Sequence, residues 1–145
     1  HRKRIELALA QEPVDPGAAD SYYTIGVIKW TDSYQPRMAA RTEMGMQANE
    51  PGPLKDAAKR QALAVEAVPA IESGIEALTG ALKVNPDYAD AMIYLNLLER
   101  ERADFAESKA EFDEHIAKAN EWVDKALSTK RRLAEEGTTD QFKAE

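Results

Sequence analysis

Apolar residues between positions 71 and 98 follow two successive helical patterns. They recur every three or four residues, which places them on one face of each helix. The members are Ile71, Ile75, Leu78 and Leu82 in the first pattern, and Ala91, Met92, Leu95 and Leu98 in the second. Pro86 separates the patterns, because proline disfavours a helical residue before it and has no N–H to donate. Two amphipathic helices joined by so short a turn lie antiparallel, so the sequence predicts a helical hairpin.

Part of this hairpin has a copy upstream at a constant offset. Residues 5–16 align with residues 75–86, and the alignment continues from Pro16 and Pro86 through residues 26 and 96. A helix, a proline turn and a second helix that recur at one offset indicate an internal repeat. The pattern therefore predicts an all-α protein built from repeated hairpins.

These positions resemble the tetratricopeptide repeat (TPR) family, a helix-turn-helix unit of about 34 residues. Small and bulky residues stand where that family has them: Tyr22, Ile25, Gly26, Gly74, Leu78, Ala81, Pro86, Met92, Leu95, Ala119, Val123 and Ala126. Asn96 replaces the small residue of the second copy. The resemblance implies a short α-solenoid in which each repeat carries an insertion, because the step from Ala81 to Ala126 exceeds the family period.

We expect one domain over residues 1–145, with an insertion or loop at 31–53 where periodicity fails and a polar tail at 138–145. Pro69 interrupts the long pattern that opens at Pro53, which predicts one kinked helix or two abutting helices. Gly137 suits a left-handed helix cap. The expected helices cover residues 1–11, 18–30, 36–44, 53–84, 87–103 and 107–136.

Composition narrows the class of protein. Hydrophobic residues make up 43% and charged residues 31% of the chain, which is typical of a globular or helical-repeat protein. A formal net charge of −7 argues against nucleic acid or an anionic membrane surface as the main partner. No stretch of 18 apolar residues exists, so we expect no membrane span. Cysteine is absent, which excludes disulfides and thiol catalysis. The first residue is His1, so a removed secretory signal favours an extracytoplasmic over a cytoplasmic location.

Candidate chemistry is sparse. His1 and His115 are the two histidines, and an N-terminal histidine with a second one forms a copper brace, although both also suit plain surface positions. Carboxylates gather before and within the last predicted helix at Glu99, Glu101, Asp104, Glu107, Glu111, Asp113 and Glu114. They offer ligands for calcium, but they lack the Asp/Asn-Gly spacing of a dedicated loop. A solvated charged connection, partly paired with Arg100, Arg102 and Lys109, accounts for them better.

No motif indicates an enzyme. The serines lack the glycine-flanked turn of a hydrolase nucleophile, no glycine-rich phosphate loop occurs, and a di-iron bundle would need Glu-x-x-His pairs that are missing. The aromatic residues at positions 22, 23, 30 and 34 suit either a binding pocket or the core. We therefore expect no catalytic residue, no metal and no cofactor.

The predicted function is protein–protein interaction. A repeat protein buries its apolar faces only against neighbouring repeats, so fewer than about three units leave open ends. Another copy of the chain is the simplest partner, and head-to-tail stacking would give a ring or a filament. The alternative is a TPR-type adaptor that binds a peptide of a different protein. The side chains that we expect at an interface are Ile5, Leu7, Leu9, Tyr22, Tyr23, Trp30, Trp122 and Phe142.

Overall fold

The computed structural model describes residue 15 and residues 17–144, with side chains described through residue 137. It contains four α-helices: α1 (Gly17–Glu43), α2 (Ala57–Val84), α3 (Ala89–Ala103) and α4 (Lys109–Ala144). No strand occurs among the described residues, so the predicted all-α class is confirmed. No described helix combines the length and the apolar character that crossing a bilayer requires.

The helices pair in chain order. Helix α1 packs mainly on α2, α4 packs mainly on α3, and α3 also contacts both α2 and α1. The centre of the core lies where α3 meets the pair formed by α1 and α2. Its largest fully buried side chains are Leu54, Ile71, Leu78, Met92, Leu95, Leu98 and Glu101.

Helix α1 is longer than the sequence predicts. Apolar periodicity fails after Trp30, yet the helix continues to Glu43 with Pro36 inside it. Pro36 is exposed, and so is Asp32 one turn earlier, so the carbonyl that loses its N–H partner at the proline faces water. Residues 31–43 are therefore helical and not a loop, and the separate helix expected at 36–44 is the second half of α1.

The connection between α1 and α2 covers residues 44–56. Gly45 turns the chain with a φ of 72°, a left-handed conformation that glycine adopts without a steric penalty. Leu54 is fully buried, and its N–H donates to the carbonyl of Asp104 at 2.9 Å. Asp56 then caps α2 by accepting a hydrogen bond from the Lys59 N–H at 3.1 Å.

Helix α2 is one continuous helix that contains Pro69, so the alternative of two abutting helices is wrong. It ends where the sequence predicts, because the Asn85 N–H closes the last turn on the carbonyl of Ala81 and Pro86 follows.

Helix α4 continues past Gly137 to Ala144, so the predicted stop at Gly137 is wrong, and residues 138–144 of the predicted polar tail are helical. A glycine inside a helix costs only about 1 kcal/mol relative to alanine, which a long helix tolerates. Among the described side chains of α4, Thr129 is the last buried one, and residues 130–137 are exposed. Phe142 lies on this helix, but its side chain lies outside the described part. Ile5, Leu7 and Leu9 also lie outside the described residues.

Candidate functional site

Five aromatic rings form a continuous line where α1 meets α3, which we call the aromatic ladder: Tyr88, Tyr23, Tyr94, Trp30 and Tyr34. The rings stack at both ends, with centroids 5.1 Å apart for Tyr88–Tyr23 and 4.8 Å apart for Trp30–Tyr34. Tyr94 stands edge-on between the two stacks, 5.5 Å from Tyr23 and 5.7 Å from Trp30. All five side chains are half-buried, so the ladder is neither sealed core nor freely exposed surface.

Helical spacing explains this alignment. Tyr23, Trp30, Tyr34 and Arg37 follow one another at intervals of seven, four and three residues on α1, so they share one face. Tyr94 comes from the facing side of α3. The sequence needs no unusual backbone to build the ladder, only two helices whose aromatic faces meet.

Several polar edges of the ladder are open. Among the described residues, no hydrogen bond is present for the hydroxyls of Tyr34 and Tyr94 or for the indole N–H of Trp30, and none of these atoms is buried without a partner. Within the described part of the chain, these groups are therefore donors that a bound molecule can use without breaking a bond.

The end of the ladder at Tyr88 carries negative charge. The Tyr88 hydroxyl donates to Asp20 at 2.8 Å, and burial together with this carboxylate raises the pKa of Tyr88 far above its usual range. Burial, followed by the charges of Tyr94 and Asp90, also raises the pKa of Tyr23. Both phenols therefore stay protonated at neutral pH and act as hydrogen-bond donors.

At its other end the ladder joins a buried ion-pair cluster of Arg37, Arg41, Glu101 and Asp104. The Arg37 guanidinium lies 5.7 Å from the centroid of the Tyr34 ring, contacts Glu101 and donates to Asp104 Oδ2 at 2.6 Å. Arg41 Nε lies 3.2 Å from the same carboxylate oxygen, and Arg41 also donates to the carbonyl of Glu50. Two positive and two negative groups balance, which is the condition for burying charge at acceptable cost.

The predicted acidic connection is solvated only in part: Glu107, Asp113 and Glu114 are exposed. Glu99, Glu101 and Asp104 are buried, and arginines from α1 and α2 supply most of the partners, which local sequence spacing does not reveal. Arg60, for example, donates to Glu107 at 3.1 Å and to the carbonyl of Leu54 at 2.7 Å. The remaining pairs are Arg102 with Glu72 and Glu111, Lys109 with Asp113, and Lys118 with Glu114.

The residues considered for metals do not converge. His115 Nδ1 lies 2.8 Å from Glu99 Oε2, which gives this ring an internal partner, and His1 lies outside the described residues. Within the described ranges, no group of three or more metal-binding side chains occurs. The copper hypothesis therefore stays a prediction, because it depends on His1.

The structure separates the residues predicted for an interface. Tyr23 and Trp30 belong to the ladder, whereas Tyr22 is only 4% exposed and packs against Gly80, so it is a core residue. Trp122 is half-buried against the core on α4, where the Lys125 ammonium lies 5.4 Å from its ring centroid. Tyr34, which the sequence placed in either a binding pocket or the core, belongs to the ladder. Sequence reasoning missed Tyr88 and Tyr94, because they join the ladder only through the contact between α1 and α3.

Comparison with protein-family models, with curated protein sequences and with solved structures returned no match to this chain. The class that the fold defines is an all-α protein of two packed helical hairpins.

Proposed function

We propose that this chain is a non-enzymatic, TPR-like helical-repeat protein that binds other proteins, and that a partner docks along the aromatic ladder. The observation that carries the proposal is the ladder itself: five half-buried rings with open polar edges at the contact of α1 and α3. Tyr and Trp rings dominate the energetics of protein interfaces, because a ring already held in place loses little conformational entropy on binding.

The repeat supports the TPR-like assignment. Burial recurs at the same offset in both hairpins for Ala19 and Ala89, for Tyr22 and Met92, and for Gly26 and Asn96. Gly26 lets α1 approach α2 closely, since a Cβ at this position would collide with the side chain of Leu78. In a helical solenoid the first helices of successive repeats lie side by side and line one face. Helices α1 and α3 occupy those positions in this reading, so the ladder lies on the face that such proteins use.

The outward face of α4 favours an adaptor over a head-to-tail polymer. Most exposed residues of α4 up to residue 137 are charged, among them Asp113, Glu114, Lys118, Glu121, Asp124 and Lys125. The exposed large apolar side chains of this helix are Leu127 and Leu133. A charged outer face is what the terminal helix of a repeat array needs for contact with water, and it is a poor surface for stacking another repeat. Self-association through a different face, such as the side of α1 where Ile28 is 51% exposed, stays a prediction.

Selection from a random peptide library tests the proposal. Peptides selected on the native chain should bind a Tyr34→Phe/Tyr94→Phe variant about 2- to 10-fold more weakly for each hydroxyl that they engage. Because neither hydroxyl has a partner among the described residues, this variant should melt like the native chain. Trp122→Phe is the matched control outside the ladder and should leave binding unchanged. Peptides that bind the native chain and the double variant equally would show that the ladder is not the docking site. Sedimentation analysis over a range of protein concentrations tests self-association separately.

A further inference from the structure

We propose that the ladder binds an extended, proline-containing segment of another protein in the polyproline II conformation, with a basic residue at the Tyr88 end. The inference rests on the proposed function and specifies the chemical class of the partner. Three properties of the ladder lead to it: the spacing of its rings, the nature of its open polar groups and the position of its charge.

The spacing of the ladder residues along α1 fits a ligand whose structure repeats every three residues. Tyr23 and Trp30 are seven residues apart on α1, which corresponds to a rise of about 10.5 Å. A polyproline II helix presents the same edge every three residues, about 9.3 Å apart. A β-strand presents the same face about every 6.7 Å, or about every 13 Å at alternate positions. The polyproline II repeat therefore matches the rise between Tyr23 and Trp30 along α1 within about 1 Å, whereas a strand misses it by about 3 Å.

The open polar groups fit a ligand that is rich in acceptors. Trp30 offers only a donor, and the Tyr34 and Tyr94 hydroxyls are free to donate. A polyproline II segment has no internal hydrogen bonds, so its carbonyls are available to these donors. Proline also has no N–H. A proline residue therefore brings no donor that would need an acceptor on the ladder, whose open polar groups are donors. A preformed polyproline II helix loses little entropy when it docks on aromatic side chains.

Charge complementarity predicts that the basic residue of the ligand lies at the Tyr88 end of the ladder. Asp20 and Asp90 are exposed beside the Tyr23–Tyr88 stack, and Lys130 lies 3.6 Å from Asp90, so Asp20 is the stronger candidate to contact the ligand. At the opposite end, the charge of Arg37 is already matched by Glu101 and Asp104. A lysine or arginine of the ligand is therefore favoured at the Tyr88 end and gains nothing at the Tyr34 end.

Three synthetic peptides of equal length test the inference: a proline peptide with a terminal lysine, the same peptide with glutamate for lysine, and a Gly/Ser peptide with the lysine. Binding is followed by calorimetry, and by Trp30 fluorescence in a Trp122→Phe background, which leaves Trp30 as the one tryptophan. We expect the lysine–proline peptide to bind about tenfold more tightly than the Gly/Ser peptide. We also expect Asp20→Asn to abolish the preference for the lysine–proline peptide over the glutamate peptide. Tyr34→Phe/Tyr94→Phe should weaken binding of the lysine–proline peptide.

Equal binding of the proline and Gly/Ser peptides, or no binding of either, would overturn the inference. If library peptides still bind through the ladder in that case, the proposed function stands and only the ligand class is wrong. Two other occupants would also overturn it. A dimer that dissociates on Trp30→Ala substitution would place a second copy on the ladder. A synthetic peptide of residues 1–14 that binds the ladder and competes with the proline peptide would place the chain's own N-terminal segment there.

Discussion

Replacing Asp104 with asparagine removes the carboxylate that two buried arginines share. Asp104 is 2% exposed, and its Oδ2 atom lies 2.6 Å from Arg37 Nη1 and 3.2 Å from Arg41 Nε. Asp104→Asn keeps the shape of the side chain but changes the buried ion-pair cluster from balanced to one net positive charge, with Glu101 the remaining anion. Breaking a buried pair by removing one partner costs about 3–5 kcal/mol, because the other charge stays buried without compensation.

We therefore expect Asp104→Asn to lower the free energy of unfolding by about 3–5 kcal/mol. For a chain of this size that loss corresponds to a drop in melting temperature of roughly 10–20 °C. Urea unfolding followed by circular dichroism measures the free energy, and a thermal scan checks the temperature. The matched control is Asp113→Asn, which breaks an exposed pair with Lys109 on α4 and should cost less than about 1 kcal/mol.

A double-mutant cycle separates the ion pair from the loss of a hydrogen-bond acceptor. Arg41→Met in the Asp104→Asn background removes the one uncompensated positive charge and leaves Arg37 paired with Glu101, so part of the stability should return. The reasoning is refuted if Asp104→Asn costs no more than the exposed control. It is also refuted if Arg41→Met and Asp104→Asn add as independent changes, since residues in one charge network must couple.

Two further predictions concern glycines and a phenol. Gly26→Ala should lower the free energy of unfolding by about 1–3 kcal/mol through collision with Leu78. Gly137→Ala should raise the free energy of unfolding by up to about 1 kcal/mol, since a Cβ there meets nothing within 4 Å. Urea unfolding measures both variants, and a change of the same sign in the two would contradict these predictions. The pKa of Tyr88 is higher in the folded state than in the unfolded state. The stability that this phenol contributes is therefore complete below the unfolded-state pKa and is lost as pH rises through the folded-state pKa. Tyr88→Phe should flatten the alkaline loss of stability, and an unchanged pH profile would refute this.

Sequence reasoning succeeds where apolar periodicity decides the structure. The stripe from Ile71 to Leu82, the stop at Pro86 and the next helix all depend on local spacing, and the structure contains them. Ala81 and Ala126, two of the small residues of the repeat pattern, are 0% and 1% exposed. These features need only the rule that one face of a helix is apolar and small residues permit close approach.

The same reasoning fails where buried positions are charged. Arg37 and Arg41 lie on the inward side of α1, but a pattern search treats arginine as a solvent-facing residue, so α1 seemed to end near Trp30. Their partners Glu101 and Asp104 are more than sixty residues away along the chain, beyond any helical spacing rule. The ladder has the same difficulty, because Tyr94 joins Tyr23 and Trp30 only after α3 packs on α1.

Arg37 makes the cluster, the connection and the ladder one structural unit. Its guanidinium lies against the Tyr34 ring and pairs with Asp104, whose main-chain carbonyl accepts the N–H of Leu54 from the connection. The Asp104 carboxylate is therefore linked through Arg37 to Tyr34, the last ring of the ladder, and the Asp104 main-chain carbonyl binds Leu54 at the buried end of the connection. A segment that looks like an insertion in the repeat thus helps to fix the position of the proposed docking surface, because the connection is anchored to the same residue that orients Arg37. A charged contact also restricts direction more than an apolar one does, so the cluster is better suited than further apolar packing to holding a ring in one orientation.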